Sequence, residues 1–138
     1  RVVDERTILL PERNGNNRAD GLRNLLADPR IALIFLIPGV GETLRVNGRA
    51  TIVADPALVA SFAVDGKPPR CVVRVAVEKV FFQCSRAMLR SKLWDAESFA
   101  ARGEVPTAGE MLAVATAGEV DAASYDETLP GRLRAGLY

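Results

Sequence analysis

Apolar residues change their spacing several times along the chain, and each change marks an expected element. In "VVDERTILLP", Val2, Val3, Ile8, Leu9 and Leu10 surround a polar turn, which reads as a short strand beginning near Thr7 or as the end of a hairpin. The polar stretch from Pro11 to Asp20, "PERNGNNRAD", is followed by Leu22, Leu25 and Leu26 at helical spacing, with Pro29 as the stop and Asn16 or Asn17 as the expected N-cap. "RIALIFLIP" is a continuous apolar run between breakers, expected to be a strand buried on both faces. Pro38, Gly39 and Gly41 make a turn, and "ETLRVNGRATIV" then alternates in phase on both sides of Asn47-Gly48. That phase predicts one long strand carrying a bulge or bend rather than a hairpin.

Asp55 and Pro56 read as N-cap and first-turn proline of a helix over Ala57–Asp65 closed by Gly66, with "GKPPR" as a loop. From Cys71 the text alternates again for about a dozen residues, long enough for a barrel wall. "SRAMLRSKLW" reads as a helix capped by Ser85, with Met88, Leu89 and Leu93 on its apolar side. The remainder is helical, with a Thr107/Glu110 capping box, a further start at Asp121, and "LPGRLRAGLY" as the end. A few long strands with helices inserted between them and a helical tail predict a mostly β or α+β fold, a small antiparallel barrel.

Composition narrows the chemistry. At 138 residues and 49% hydrophobic, the chain suits one globular domain burying about 68% of its extended surface. The formal charge is +1, from 18 Lys and Arg against 17 Asp and Glu, so bulk electrostatics give no reason to expect nucleic acid. Cys71 and Cys84 match neither a zinc quartet nor a redox pair, and are expected as reduced, mostly buried thiols of a soluble cytoplasmic protein. No apolar run approaches the roughly 20 residues that span a bilayer, and no leader pattern is seen. Histidine is absent, which removes the commonest general base, the Ser-His and Cys-His pairs and most catalytic zinc sites. Asp4, Glu5, Glu42, Asp55, Asp65 and Glu78 show no pairing that argues acid–base work, so no catalytic residue and no metal ligand is assigned.

Three places could carry binding chemistry. The Pro11–Asp20 loop leads into a helix whose first turn presents unpaired N–H groups; with Arg18, Arg13 and the Asn amides it either holds a phosphate or is a helix start with solvated arginines. On "RAMLRSKLW", Arg86, Arg90, Ser91, Lys92 and Trp94 cluster. Arg90 and Trp94, four apart, share a helix face where they frame a planar ligand, or else Trp94 anchors a surface helix. On "ETLRVNGRA", Thr43, Arg45 and Asn47 form a polar face that meets solvent, a ligand edge or another subunit.

The order of these motifs resembles the pyridoxamine 5'-phosphate oxidase-like flavoproteins, the FMN-binding split-barrel family. The likeness runs from Thr7 to Trp94 and points to a bacterial flavoprotein branch with the asparagine-rich loop and an "RS-x-LW" helix. It implies a six-stranded antiparallel split barrel over residues 1–94, with a helical extension over 95–138 packed on the same domain. Family members begin with a helix and a strand hairpin upstream of the segment matching "RTILLP", so the resemblance implies a barrel without its N-terminal hairpin.

The resemblance also implies a homodimer with FMN at the subunit interface. Arg18 would grip the flavin phosphate beside Asn16 and Asn17, and Leu10 and Pro11 would approach the cofactor by their backbone. Thr43 would turn a polar side chain toward it, and Arg90, Ser91 and Trp94 would complete the site from the same or the partner subunit. The implied function is an FMN-dependent oxidoreductase acting on a small molecule with NAD(P)H or another electron donor, where the flavin carries the chemistry that the missing histidine does not. The alternatives are a non-catalytic module that binds or carries a flavin, deazaflavin or haem, and a flavin-free remnant that merely dimerises.

Overall fold

The longest alternating segments form the centre of an antiparallel sheet. In the computed structural model, which describes residues 1–13, 15 and 18–137, they are β4 (Thr43–Val53) and β5 (Cys71–Gln83), paired from Thr43↔Gln83 to Val53↔Val72. Opposite the step from Asn47 to Gly48 the partner jumps from Lys79 to Val77, so Glu78 is the extra residue of a β-bulge. The interruption expected at Asn-Gly is therefore a bulge in a continuous pair, with the additional residue on β5. Only glycine fits there, because a Cβ on Gly48 would lie 2.2 Å from the Ala76 carbonyl oxygen.

β3 (Arg30–Phe35) pairs with the other side of β4, and β2 (Thr7–Glu12) with the other side of β5. β1 (Val2–Asp4) pairs with β2, so "VVDERTILLP" is a hairpin. The order is β1-β2-β5-β4-β3, all antiparallel, with β1 and β3 at the edges. The fold is of the expected α+β kind, with five strands among the described residues where six were expected.

Both faces of the sheet are covered by helices in part. Leu9, Phe62 and Val72 pack with Leu58 and Val59 of the segment around α2 (Pro56–Ala60). Alternation turns Ile8, Leu10, Val73 and Val75 to the opposite face, where with Ala50 they meet Leu22 and Leu25 of α1 (Asp20–Ala27) and Ile31 and Leu33 of β3. Val72 and Val75 are fully buried, each worth about 1.5–3 kcal/mol of transfer free energy.

Four local expectations are corrected. α1 has Ala19 as its N-cap with no side-chain cap, in place of Asn16 or Asn17, which lie outside the described residues. α2 is capped by Asp55, whose carboxylate accepts from the Leu58 amide at 2.8 Å, but it ends at Ala60. Asp65 and Gly66, with φ of 50° and 73°, instead form the tight turn of a Val64↔Lys67 bridge. β3 is an edge strand rather than a doubly buried one: Ile31 and Leu33 face α1, while Ile34 is 53% exposed. Of the two thiols Cys71 is buried and Cys84 is exposed.

The contacts divide the chain into two units, Arg1–Trp94 and Asp95–Leu137. The second carries a 3-10 turn (Ala96–Ser98), α4 (Ala108–Ala115) and α5 (Ala122–Ala135). α4 starts on the expected Thr107/Glu110 capping box, and α5 on Asp121, which accepts from the Ser124 amide. The two helices approach closely at Gly109, whose amide donates to Asp126 Oδ1 at 2.8 Å. Among the described residues no helix is long and apolar enough to cross a membrane.

Candidate functional site

The β2/β5 ladder ends at the pair Glu12↔Cys71, so the next residues outward, Arg13 and Arg70, leave the sheet side by side. The Arg70 amide donates to the Glu12 carbonyl at 3.0 Å, and Arg13 Nη2 donates to the Phe62 carbonyl at 3.0 Å. Arg18 arrives from the segment entering α1. The three guanidinium-bearing residues, with Glu12, Gly15, Ala19 and Leu22, line a cavity of about 80 Å³. It adjoins a cavity of about 370 Å³ between α1 and the sheet, which shares Glu12, Arg18, Ala19 and Leu22 and is walled by Leu10, Leu25, Ile31 and Val73. A cationic mouth thus opens onto an apolar chamber of the size small-molecule sites occupy. The first turn of α1, with no side-chain cap among the described residues, lies at that mouth. Burial and the nearby Glu12 push the Cys71 thiol up, so it is not a thiolate nucleophile at neutral pH.

A second polar group gathers at the opposite end of β4 and β5. Thr43 is 4% exposed, and its hydroxyl has no hydrogen-bond partner among the described residues. Its ladder partner Gln83 accepts from Arg45 Nη1 at 2.9 Å. Trp94 Nε1 donates to the Val40 carbonyl at 2.8 Å, and a Cβ on Gly41 would lie 2.6 Å from that of Ser85, so the chain after β5 is held on the β3–β4 turn. α3 (Arg86–Ser91) ends in a left-handed Lys92 with φ 52°. Arg90 and Trp94 therefore do not share a continuous helix face, and Trp94 acts as the anchor. Ser91 Oγ donates back to the Met88 carbonyl at 3.2 Å, and Arg90 is exposed.

A family model described as pyridoxamine 5'-phosphate oxidase matches residues 1–84. The chain belongs to the pyridoxamine 5'-phosphate oxidase family. Two solved structures of HupZ from Group A Streptococcus are similar to this member at 23% identity. One covers 62% of this chain and 69% of its own at a TM-score of 0.48; the other, a histidine-to-alanine variant, covers 60% and 71% at 0.47. No curated protein matches the chain.

In this member of the pyridoxamine 5'-phosphate oxidase family, the residues expected to form one site fall into two groups. Leu10 and Arg18 line the cavity at α1, and Pro11 sits beside them in the ladder opposite Val72. Thr43, Ser91 and Trp94 belong to the other end. Leu10 pairs with Val73 and Thr43 with Gln83, a separation of about 33 Å along extended β5. Alternation also puts Thr43 on the face opposite Val46, Ala50 and α1. Within one chain the two groups are separate.

Between them the α1 face of the sheet carries exposed apolar side chains, Phe35, Leu44 and Phe82 in one cross-strand row, with Val80 beside them. Arg70 and Glu12 escaped the reading of the sequence. The signal that could have found Arg70 is its place just before the strand that pairs with β2.

Proposed function

We propose that the chain is an FMN-binding flavoprotein, an FMN-dependent oxidoreductase acting on a small molecule, which works as a homodimer. The observation that carries this reading is the cavity of Arg13, Arg18 and Arg70 opening onto the apolar chamber under α1. Members of this family commonly bind FMN, and the residues present fit it: cations for a phosphate, Leu10, Leu22, Leu25, Ile31 and Val73 for an apolar body, and at Thr43 a buried hydroxyl in need of a partner.

When bound, FMN supplies the redox chemistry. The chain's own residues would bind and orient it: Arg18 at the phosphate with Asn16 and Asn17 beside it, Leu10 and Pro11 along the cofactor. The distance between the two groups and the exposed row Phe35, Leu44 and Phe82 support a second copy bringing Thr43, Arg90, Ser91 and Trp94 to the site. The free thiols of Cys71 and Cys84 support a cytoplasmic setting, and NAD(P)H is the proposed donor class.

The test is an absorption spectrum of the purified protein with mass identification of what denaturation releases, followed by Arg18→Ala. That substitution is expected to weaken FMN by about 1.5–3 kcal/mol, the scale of a charge-assisted hydrogen bond. Unchanged affinity would place the phosphate elsewhere and refute the reading.

One observation favours a second reading, a non-catalytic flavin, deazaflavin or haem carrier: among the described residues lining the two cavities, Glu12 is the single carboxylate, and the remaining ionisable side chains are arginines. Reduction of the bound cofactor by NAD(P)H with turnover of an acceptor separates the enzyme from the carrier.

A further inference from the structure

Beyond the α2 cluster, the face of the sheet turned away from α1 is polar. Alternation along β4 gives it Arg45 and Arg49, and the ladders add Arg30 of β3 with Arg74 and Lys79 of β5. Arg45 is half-buried and the other four are exposed. In a chain with 18 Lys and Arg against 17 Asp and Glu, a face that merely meets solvent would carry both signs, yet β2 to β5 place no carboxylate on this one among the described residues. The net charge of +1 conceals this segregation.

Acidic groups stand at the margins. Asp28 accepts from Arg30 Nε at 2.8 Å and its charge also acts on Arg49, Asp4 acts on Arg74, and Glu78 is the bulge residue beside Lys79. Of the five cations, Arg30 alone has a carboxylate within ion-pair distance among the described residues. Arg45 donates to the neutral Gln83 amide, and Lys79 lies 5.4 Å from the centre of the exposed Phe81 ring. Arg30 and Arg49 are direct cross-strand partners, a like-charge placement that costs a sheet stability.

The register groups the cations in two diagonal pairs, Arg49 with Arg74 and Arg45 with Lys79, about 13 Å apart along β4. Phe81, opposite Arg45, lies on the same face. A linear polyanion laid along β4 would meet both pairs. A flat sheet does not enter a duplex groove as a helix or two-stranded ribbon does, whereas an exposed aromatic ring among cations offers a stacking platform to an unpaired base.

We propose that this face binds single-stranded nucleic acid, with Arg45, Arg49, Arg74 and Lys79 on the phosphates and Phe81 against a base. The face is opposite the α1 cavity, so the inference stands apart from the flavin reading.

The experiment follows fluorescence anisotropy of a labelled single-stranded oligouridine titrated with the purified full chain over a series of salt concentrations. The same titration is run with a duplex RNA, with phosphatidylserine vesicles and with polyglutamate as competitors. Wild type is expected to bind the single strand with a micromolar Kd at low salt, and log K to fall against log salt with a slope of about −2 to −3, four cations at about −0.7 each. Replacing both Arg49→Gln and Arg74→Gln should make that slope shallower by about 1.4, while Arg49→Lys with Arg74→Lys should keep it. Phe81→Ala should weaken binding by about 5- to 100-fold at an unchanged slope. A wild type that does not bind the strand at low salt overturns the inference, and so does a double Gln variant with the wild-type slope. Equal competition by duplex, vesicles or polyglutamate overturns it in favour of a surface for anions at large.

Discussion

Replacing Thr43 by Val tests the buried hydroxyl directly. The exchange puts a methyl where Oγ1 was and keeps the β-branched shape that suits a strand. Thr43 is 4% exposed and its hydroxyl lacks a partner among the described residues, so the isolated chain carries the desolvation cost of that group. That cost is about 1–3 kcal/mol, and the new methyl adds hydrophobic burial of the order of 0.8 kcal/mol. Thr43→Val should therefore stabilise the ligand-free chain by about 2–4 kcal/mol. With a urea slope of about 1–3 kcal/mol per molar, a gain of about 3 kcal/mol raises the midpoint by about 1–3 M. The assay is urea denaturation of the ligand-free protein, repeated with saturating FMN. With FMN the advantage should shrink or reverse, because the wild-type hydroxyl then has a partner and the variant does not. A Thr43→Val protein less stable than wild type without ligand would mean that the hydroxyl is already satisfied, and would remove it from the candidate site.

Two further predictions concern the scaffold. Gly48→Ala pushes a methyl into the Ala76 carbonyl at the bulge, and should cost about 1–3 kcal/mol, lowering the melting temperature by about 4–8 °C for each kcal/mol; a melt within about 1 °C of wild type would refute the close approach. Asp28 accepts from Arg30 Nε at 2.8 Å, and the Arg30 side chain and amide hold its carboxyl down at about 2 against an ordinary 3.8. A depressed carboxyl stabilises the fold fully above its unfolded value and loses that contribution as the pH falls from about 4 through 2, so any stability difference between wild type and Asp28→Asn at pH 5 should fade over that window. A carboxyl carbon of Asp28 that titrates near 3.8 by NMR in the folded protein would contradict it.

Where the deciding forces are local, the sequence was a sound guide. The continuity of β4 through Asn47-Gly48 followed from unbroken alternation, and the capping box at Thr107 from two residues three apart whose side chains reach each other's backbone. The misread elements are those whose outcome depends on neighbours. β3 reads as doubly buried because its residues are apolar throughout, yet its place at the sheet edge leaves one face of it without cover. α2 stops at Ala60 because Phe62 is drawn into the cluster with Leu9 and Val72, and Asp65-Gly66 then serves a turn. Arg90 and Trp94 lose their common face because Trp94 is drawn to the Val40 carbonyl.

The candidate site divides the same way. Arg18 was legible because its loop and the helix it enters adjoin in sequence, whereas Arg70 lies far along the chain and reaches the cavity only through the β2/β5 register. By itself the sequence determined the kinds of elements, the bulge and the starts of α2, α4 and α5, since those depend on backbone preference and on contacts within a few residues. Tertiary structure alone decided which arginines share a cavity, which apolar residues stay exposed, and that Thr43 is buried with no hydrogen-bond partner among the described residues, at the end remote from Arg18. Those outcomes depend on strand order and register, set by the packing of segments distant in the chain.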